Sequence, residues 1–376
     1  MVHVVLVVPG GFDVSGRERV IPALLWLAEG LAEHHRVTVV ALGQERDARR
    51  FALVGATVRT VPAEARGPYR LARQIARGIS AVGAEGRPDV VHGLWASVTG
   101  LVAVAAARRY RAPGLVHVAG GELVAMPDIA YGGALGRGGR LIAAGGLKGA
   151  DHVTVASHWM AAHVRSRGYR VDDVVPLGVD TERFRPAAVA APGAPPRLVH
   201  IGSLNGVKDQ VTLLKAFATV HRARPGITLD IAGVDTTDGA TRRLAAEFGV
   251  ADAVRFHGFV PSDELVALVQ GASLHVLSSR HDAGPVAVLE AAACGVPTVG
   301  TEVGHVADLA AADPPGAVAV PVRHADELAA AILAVLDDGP RRAALADAAR
   351  AFAVANDRRA TVARFDAAYR QLLARR

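Results

Sequence analysis

The stretch ASLHVLSSRHDAGPVAVLEAAACGVPTVGTE, residues 272–302, decides the fold class. ASLHVLSS is short, apolar and rich in strand formers. RHDAGP is a loop at its carboxyl end, VAVLEAAAC is a helix, and VPTVGTE is a second strand. Strand, loop, helix and strand in that order make a βαβ unit, which puts the two strands parallel in one sheet. The loop and helix also carry two acids, Asp282 and Glu290, on either side of Gly284-Pro285. Gly284 lets the backbone come close to a ligand, and Pro285 suits a first helical turn. The free N–H groups of Val286 and its neighbours, with the helix dipole behind them, suit a phosphate. Glu290 follows one turn further in, among Val, Leu and Ala. A carboxylate there is costly unless something hydrogen-bonds it. Sugar hydroxyls would do so, and so would a neighbouring backbone.

Outward from this unit the same alternation continues in both directions. VHVVLVVPG, HRVTVVALG, PDVVHGLW, PGLVHVAGG and DHVTVAS are strand-like in the first half, with alanine-rich helical stretches between them. AAVAAPGAPPR (187–197) is a linker without periodicity. RLVHIGSL, ITLDIAG and AVRFHGF then lead into the opening stretch. The pattern predicts two parallel-sheet α/β domains, residues 1–186 and 198–355, with an amphipathic C-terminal helix over about 356–376. A chain of 376 residues fits that count.

Composition narrows the classes. The chain is 51% hydrophobic and 21% charged, which is globular. MVHVVLVVPGG lacks a basic n-region and reads as a buried strand, not a signal peptide. VVHGLWASVTGLVAVAAA (90–107) is broken by His92, Gly93, Ser97 and Thr99 and reads as strand, loop and helix, not as a membrane span. The one cysteine, Cys294, excludes an internal disulfide and a multi-cysteine metal site, and a cytoplasmic setting fits best. Cys294 itself ends an apolar helix and reads as core. The net charge of +6 resides in residues 1–180, with 21 Lys/Arg against 15 Asp/Glu; the remainder holds 21 of each. No aromatic–basic interleaving supports nucleic acid. An anionic acceptor, or peripheral contact with an anionic membrane, is the better reading. YRLARQIARGI (69–79) sets Arg70, Arg73 and Arg77 on one helical face, which suits a membrane surface or a merely solvated face.

No G-x-G-x-x-G, Walker loop, G-x-S-x-G or H-E-x-x-H occurs, nor a D-x-D triplet that would chelate a metal–diphosphate. Open parallel sheets still bind ligands at the carboxyl ends of their strands.

Several longer motifs together resemble the family 4 glycosyltransferases of the GT-B fold, group 1 type, over nearly the whole chain. PLGVDTERF (176–184) is similar to the signature that ends the family's first domain. HIGSLNGVKDQVTLLKAF (200–217) resembles its next motif, and DAGPVAVLEAAACGVPTVGTEVGHVADL (282–309) its donor motif. GGELV (120–124) matches a recurrent first-domain variant. The resemblance implies two Rossmann-like domains facing a central cleft, the first for the acceptor and the second for the donor. It implies retaining, metal-independent transfer of a hexosyl unit from UDP- or GDP-sugar to a sugar, lipid-linked or small-molecule acceptor, as in glycan or glycolipid synthesis, with no cofactor beyond the donor.

Roles then fall on particular positions. Glu290 would accept bonds from the donor ribose, Asp282 would touch the transferred sugar, and Lys208 would neutralise the diphosphate. The amides of Ala283, Gly284, Val286 and Ala287 would cradle diphosphate and sugar. The segment around Phe256 and Gly258 would offer backbone groups to the base. Gly10 and Gly11 would admit donor or acceptor, and Glu122 would contact the acceptor. Three positions depart from the family pattern. Asp282 stands for the usual Glu, Ser203 for a diphosphate-binding Arg, and Ala119 for a first-domain His. Arg280 could substitute for the missing Arg. His117 could substitute for the missing His or be an ordinary strand residue. Asp151 reads as a structural hydrogen-bonder, and His257 and His281 as solvent-facing loop residues. These departures keep two alternatives open: a nucleotide-sugar-binding paralogue without catalysis, and a sugar-nucleotide epimerase or hydrolase.

Overall fold

His3–Val8 (β1) is buried at every position, so its run of valines faces helices on both sides, as a central parallel strand must. A computed structural model describes residues 1–63, 69–187 and 195–375; of the expected linker, residues 188–194 lie outside the described residues. The chain forms two compact units, Met1–Leu177 with Arg358–Arg376, and Gly178–Asp357.

The first unit continues with α1 (Pro22–Ala32), β2 (Arg36–Leu42), β3 (Arg50–Leu53), β4 (Ala56–Val61), α2 (Arg70–Val82), β5 (Val90–Leu94), α3 (Val98–Tyr110), β6 (Gly114–Val118), α4 (Arg137–Gly149), β7 (His152–Val155), α5 (His158–Arg165) and β8 (Asp173–Val174). The second holds β9 (Arg197–Ile201), α6 (Gln210–Ala223), β10 (Thr228–Ala232), α7 (Ala240–Glu247), β11 (Val254–Gly258), α8 (Ser262–Gln270), β12 (Leu274–Leu277), α9 (Val286–Ala293), β13 (Thr298–Thr301), α10 (Gly304–Ala310), β14 (Ala317–Val320), α11 (Ala325–Asp337) and α12 (Gly339–Ala355). Helix α13 (Arg358–Ala374) returns to the first unit.

The first sheet runs β3-β4-β2-β1-β5-β6-β7-β8 and the second β11-β10-β9-β12-β13-β14. Every strand read from the sequence is present, and β3, β4, β8 and β14 are additional. The first sheet is not wholly parallel, because β3 pairs antiparallel with β4. The turn between them places Val54 at φ 45° and Gly55 at φ 77°, the positive angles a two-residue hairpin needs.

Helix α2 packs Ile75 and Ile79 against a core of Val5, Val40, Val91 and Val102. Both isoleucines are partly buried, so each contributes less than the roughly 1.5–3 kcal/mol of a fully buried side chain of this kind. Helix α13 lays Phe365 and Tyr369 on the first sheet. The Tyr369 hydroxyl meets His92 Nδ1 at 2.7 Å, and Phe365 lies 4.6 Å from the His92 ring and 5.5 Å from that of His117. Among the described residues no helix is long and apolar enough to cross a membrane.

Candidate functional site

Strand β9 has β10 on one side and β12 on the other. Successive connections therefore leave it in opposite directions, and that switch point opens a crevice at the carboxyl ends of β9 and β12. Two loops meet there. The one after β9 ends in Lys208 and Asp209, and the one after β12 carries Asp282. They are tied by backbone, with the Arg280 amide donating to Val207 O at 2.8 Å and the Ser278 hydroxyl to Lys208 O at 2.7 Å. The tie brings Lys208 Nζ to 2.5 Å from Asp282 Oδ2, across 74 residues of sequence. Both side chains stay partly open, at 20% and 16% exposure.

Pro285 caps α9, the Val288 amide donates to Pro285 O at 3.1 Å, and the amides of Val286 and Ala287 lack intrahelical acceptors by helix geometry. Gly284, Val286 and Ala287 are partly exposed there. The next loop, before α10, presses on this one. Gly304 sits at φ 48°, and a Cβ on it would lie 2.5 Å from Asp282 O and 2.6 Å from Pro285 Cδ. The Thr301 hydroxyl donates to Ser279 O at 2.6 Å.

Glu290 is 6% exposed. Among the described residues nothing donates a hydrogen bond to its carboxylate, and burial raises its pKa to about 7. Of the two explanations the sequence leaves open, a tie to a neighbouring backbone is absent. His305 lies nearby on α10, fully buried, with neither ring nitrogen hydrogen-bonded. Burial lowers its pKa to about 4, against the opposing pull of Asp308 and Asp282. Sequence reading passed over it. Burial also holds the Cys294 thiol up at about 12, as an inert core residue requires.

Other predicted residues fall elsewhere in the second unit. Ser203 is exposed, and its carbonyl accepts from Gln210 Nε2 at 3.2 Å. Phe256 lies on the edge strand β11 beneath the Arg242 guanidinium, 4.4 Å from the ring centroid. Gly258 follows at φ 67° with open space where a Cβ would go. His257 bonds Asp230 Oδ1 at 2.6 Å. His281, expected to face solvent, is 4% exposed, because the loop folds inward between β12 and α9.

In the first unit, Gly10 (φ 126°) and Gly11 (φ 83°) are buried, and side chains there would strike Gln44 and Ile21. His117 is wholly enclosed; its Nδ1 lies 2.9 Å from Thr154 Oγ1 and burial lowers its pKa to about 3. As placed it is a core residue. Glu122, expected to contact the acceptor, turns inward and is 6% exposed. Its two oxygens accept from the amides of Ala96 and Gly120, each at 2.9 Å, so it clamps the ends of β5 and β6 together. Burial raises its pKa against those amides. Asp151 accepts from the Gly114 amide at 2.8 Å, a structural bond as expected.

The family model for glycosyl transferases group 1 matches residues 182–352, and that for the glycosyl transferase 4-like domain matches residues 20–180. The chain belongs to the group 1 glycosyl transferases. Within this family, the D-inositol 3-phosphate glycosyltransferase of Frankia alni is 32% identical over 270 residues, 64% of this chain and 64% of that protein. The chain spans less than two thirds of the length of the curated relatives it matches. The sucrose-phosphate synthase of Thermosynechococcus elongatus has a TM-score of 0.82 at 21% identity, covering 100% of both chains. Anabaena HepE in complex with UDP-glucose has a TM-score of 0.75 at 17% identity, covering 99% of this chain and 100% of that one. At such identities the likeness is one of fold, two parallel-sheet α/β units. Among the described residues no group of three or more His, Cys, Asp or Glu is placed to hold a metal ion.

Proposed function

We propose that the chain transfers a hexosyl unit from a nucleotide diphosphate sugar to an acceptor hydroxyl, with retention of configuration and without metal. The observation that carries the reading is Glu290, a carboxylate almost wholly buried in an apolar helix, to which nothing among the described residues donates. The paired hydroxyls of a ribose would supply two donors at once. Lys208 would leave Asp282 for the diphosphate, and the first-turn amides of α9 would share its charge. Asp282, so released, would accept from hydroxyls of the sugar.

In the retaining step the bond from the anomeric carbon to the phosphate oxygen breaks. The acceptor oxygen bonds to the same face, and its proton passes to the leaving phosphate. The protein then needs only to stabilise the departing diphosphate, and each preorganised donor at such a position is worth about 3 kcal/mol of barrier. The basic surplus of residues 1–180 supports an anionic acceptor. Leu71, 39% exposed beside Arg70 on α2, supports peripheral contact with an anionic membrane surface.

UDP-glucose is the first donor to test, because the HepE structure holds it. Calorimetry with UDP-glucose and GDP-mannose, followed by nucleotide release with and without a panel of acceptors, tests the reading. Binding with acceptor-dependent release supports transfer. Release indifferent to acceptor would make the chain a hydrolase or epimerase, and binding without release a non-catalytic paralogue. Failure of every nucleotide sugar to bind overturns the site.

A further inference from the structure

His200 is the last residue but one of β9 and is wholly buried. Its Nδ1 lies 2.9 Å from Val276 O on β12. A carbonyl only accepts, so Nδ1 carries the ring proton and Nε2 is left with a bare lone pair. Among the described residues nothing donates to that lone pair. Burial lowers the pKa of His200 to about 4, and the nearby charge of Lys208 acts in the same direction, against the bond to Val276. The ring is therefore neutral at neutral pH, an acceptor at Nε2 and nothing else. A buried acceptor without a donor is costly, and an apolar residue would fill the same place without that cost.

The surroundings of Nε2 supply a reason for it. Gly202 follows β9 and, having no side chain, leaves a gap. The point where its Cβ would stand is 3.3 Å from Lys208 Cε, 3.5 Å from Lys208 Cδ and 3.8 Å from His200 Nε2. No other atom of the imidazole comes as near to that point. The stem of the lysine and the acceptor edge of the ring thus converge on one gap. An ammonium has three donors. In the structure one of those on Lys208 meets Asp282, at 2.5 Å.

We propose that His200 is the positioning residue of Lys208. When the ammonium leaves Asp282 for the diphosphate, the Nε2 lone pair accepts a hydrogen bond from it, and the other two donors are aimed at the ligand. A neutral acceptor suits this task better than a second carboxylate. It fixes the direction of the ammonium and leaves its positive charge for the anion, whereas a carboxylate would compete with the anion for that charge. The tautomer is set in advance by Val276 O, so the ring needs no proton transfer to act. The inference rests on the role proposed for Lys208 and adds the group that holds it in that role.

Two amides separate the two ring nitrogens. Asparagine keeps a donor near the Nδ1 position and has nothing at Nε2, whereas glutamine brings an amide oxygen to the Nε2 position. Calorimetry on the full chain with UDP and with GDP, continued with whichever binds tighter, tests the inference. In His200→Asn the Kd should rise about tenfold, the value of one hydrogen bond to a charged group. His200→Gln should recover part of that loss. In a Lys208→Ala background His200→Asn should cost nothing further, because the group that it positions is gone. A merely structural role would give the same loss with or without the lysine. Should His200→Asn melt early, His200→Leu, apolar and of similar size, repeats the cycle. Equal nucleotide affinity in wild type and His200→Asn, or a tenfold loss that persists beside Lys208→Ala, overturns the inference and leaves the donor site standing. Failure of the wild type to bind either nucleotide overturns the donor site and the inference with it.

Discussion

At the scale of single residues, the carboxylate of Glu290 and the ammonium of Lys208 are opposite cases. One is almost wholly buried with no hydrogen-bond donor among the described residues; the other is partly open and already paired with Asp282. Replacing either by alanine should lower transfer about tenfold or more with the fold intact, which initial-rate assays beside circular dichroism would check. Wild-type turnover in both variants would refute the assignment. Glu290 also makes a prediction that needs no substrate. Its folded pKa of about 7 lies above the ordinary carboxylate value, so between roughly pH 4.5 and 7 the folded chain binds the extra proton. The Glu290 contribution to stability should therefore be lost as pH rises through that window, opposing the larger effect of the buried histidines. Glu290→Gln should recover on the order of 3 kcal/mol at pH 8.5 and little at pH 4.5, read from urea midpoints. A pH-independent difference would mean that the carboxylate is not enclosed. Donor affinity in the wild type should rise as the proton leaves, since ribose hydroxyls need an acceptor.

At the scale of elements, the strand–loop–helix of β12 and α9 is held from behind by the turn before α10. Gly304→Ala would drive a methyl into Asp282 O and Pro285. The expected result is about 2 kcal/mol of lost stability and a weakening of UDP-glucose binding, measured by thermal melts and calorimetry. Unchanged binding would show that the loop tolerates displacement. Much of this scale was legible beforehand. Val-rich runs between alanine-rich ones announced the central strands, because buried parallel strands are continuously apolar. The placement of Asp282 and Glu290 on the loop and helix after one of them followed from glycine and proline. The edges were harder. Strand β3 is Arg-Phe-Ala-Leu, half exposed, and its turn uses Val54 at a positive φ that no composition rule suggests. The direction of Glu122 was hidden because it depends on amides of Ala96 and Gly120 on two loops. The resemblance assigned Lys208 to the diphosphate and Asp282 to the sugar; that the two pair with each other is a long-range fact that only topology supplies.

At the scale of the whole chain, buried imidazoles decide the response to acid. His92, His117 and His152 lie in the first unit, and His200, His275 and His305 in the second, all with pKa lowered first by burial. A group whose folded pKa is depressed lends stability above its unfolded value, and that stability is lost as pH falls. Stability should drop steeply from pH 6.5 toward 4, with a slope of about 1.4 kcal/mol per pH unit for each histidine that must charge. His117→Gln with His275→Gln should flatten that slope in urea titrations, and an unaltered slope would count against neutral burial. A different consequence follows from helix α13, which belongs to the first unit but is separated from the rest of it by all of Gly178–Asp357. On the ribosome, the portion made first is completed last. Translation at roughly 5–20 residues per second leaves the nascent sheet without Phe365 and Tyr369 for on the order of ten seconds or more. Its apolar surface over His92 and His117 is then bare, which is an invitation to holding chaperones until the closing helix emerges.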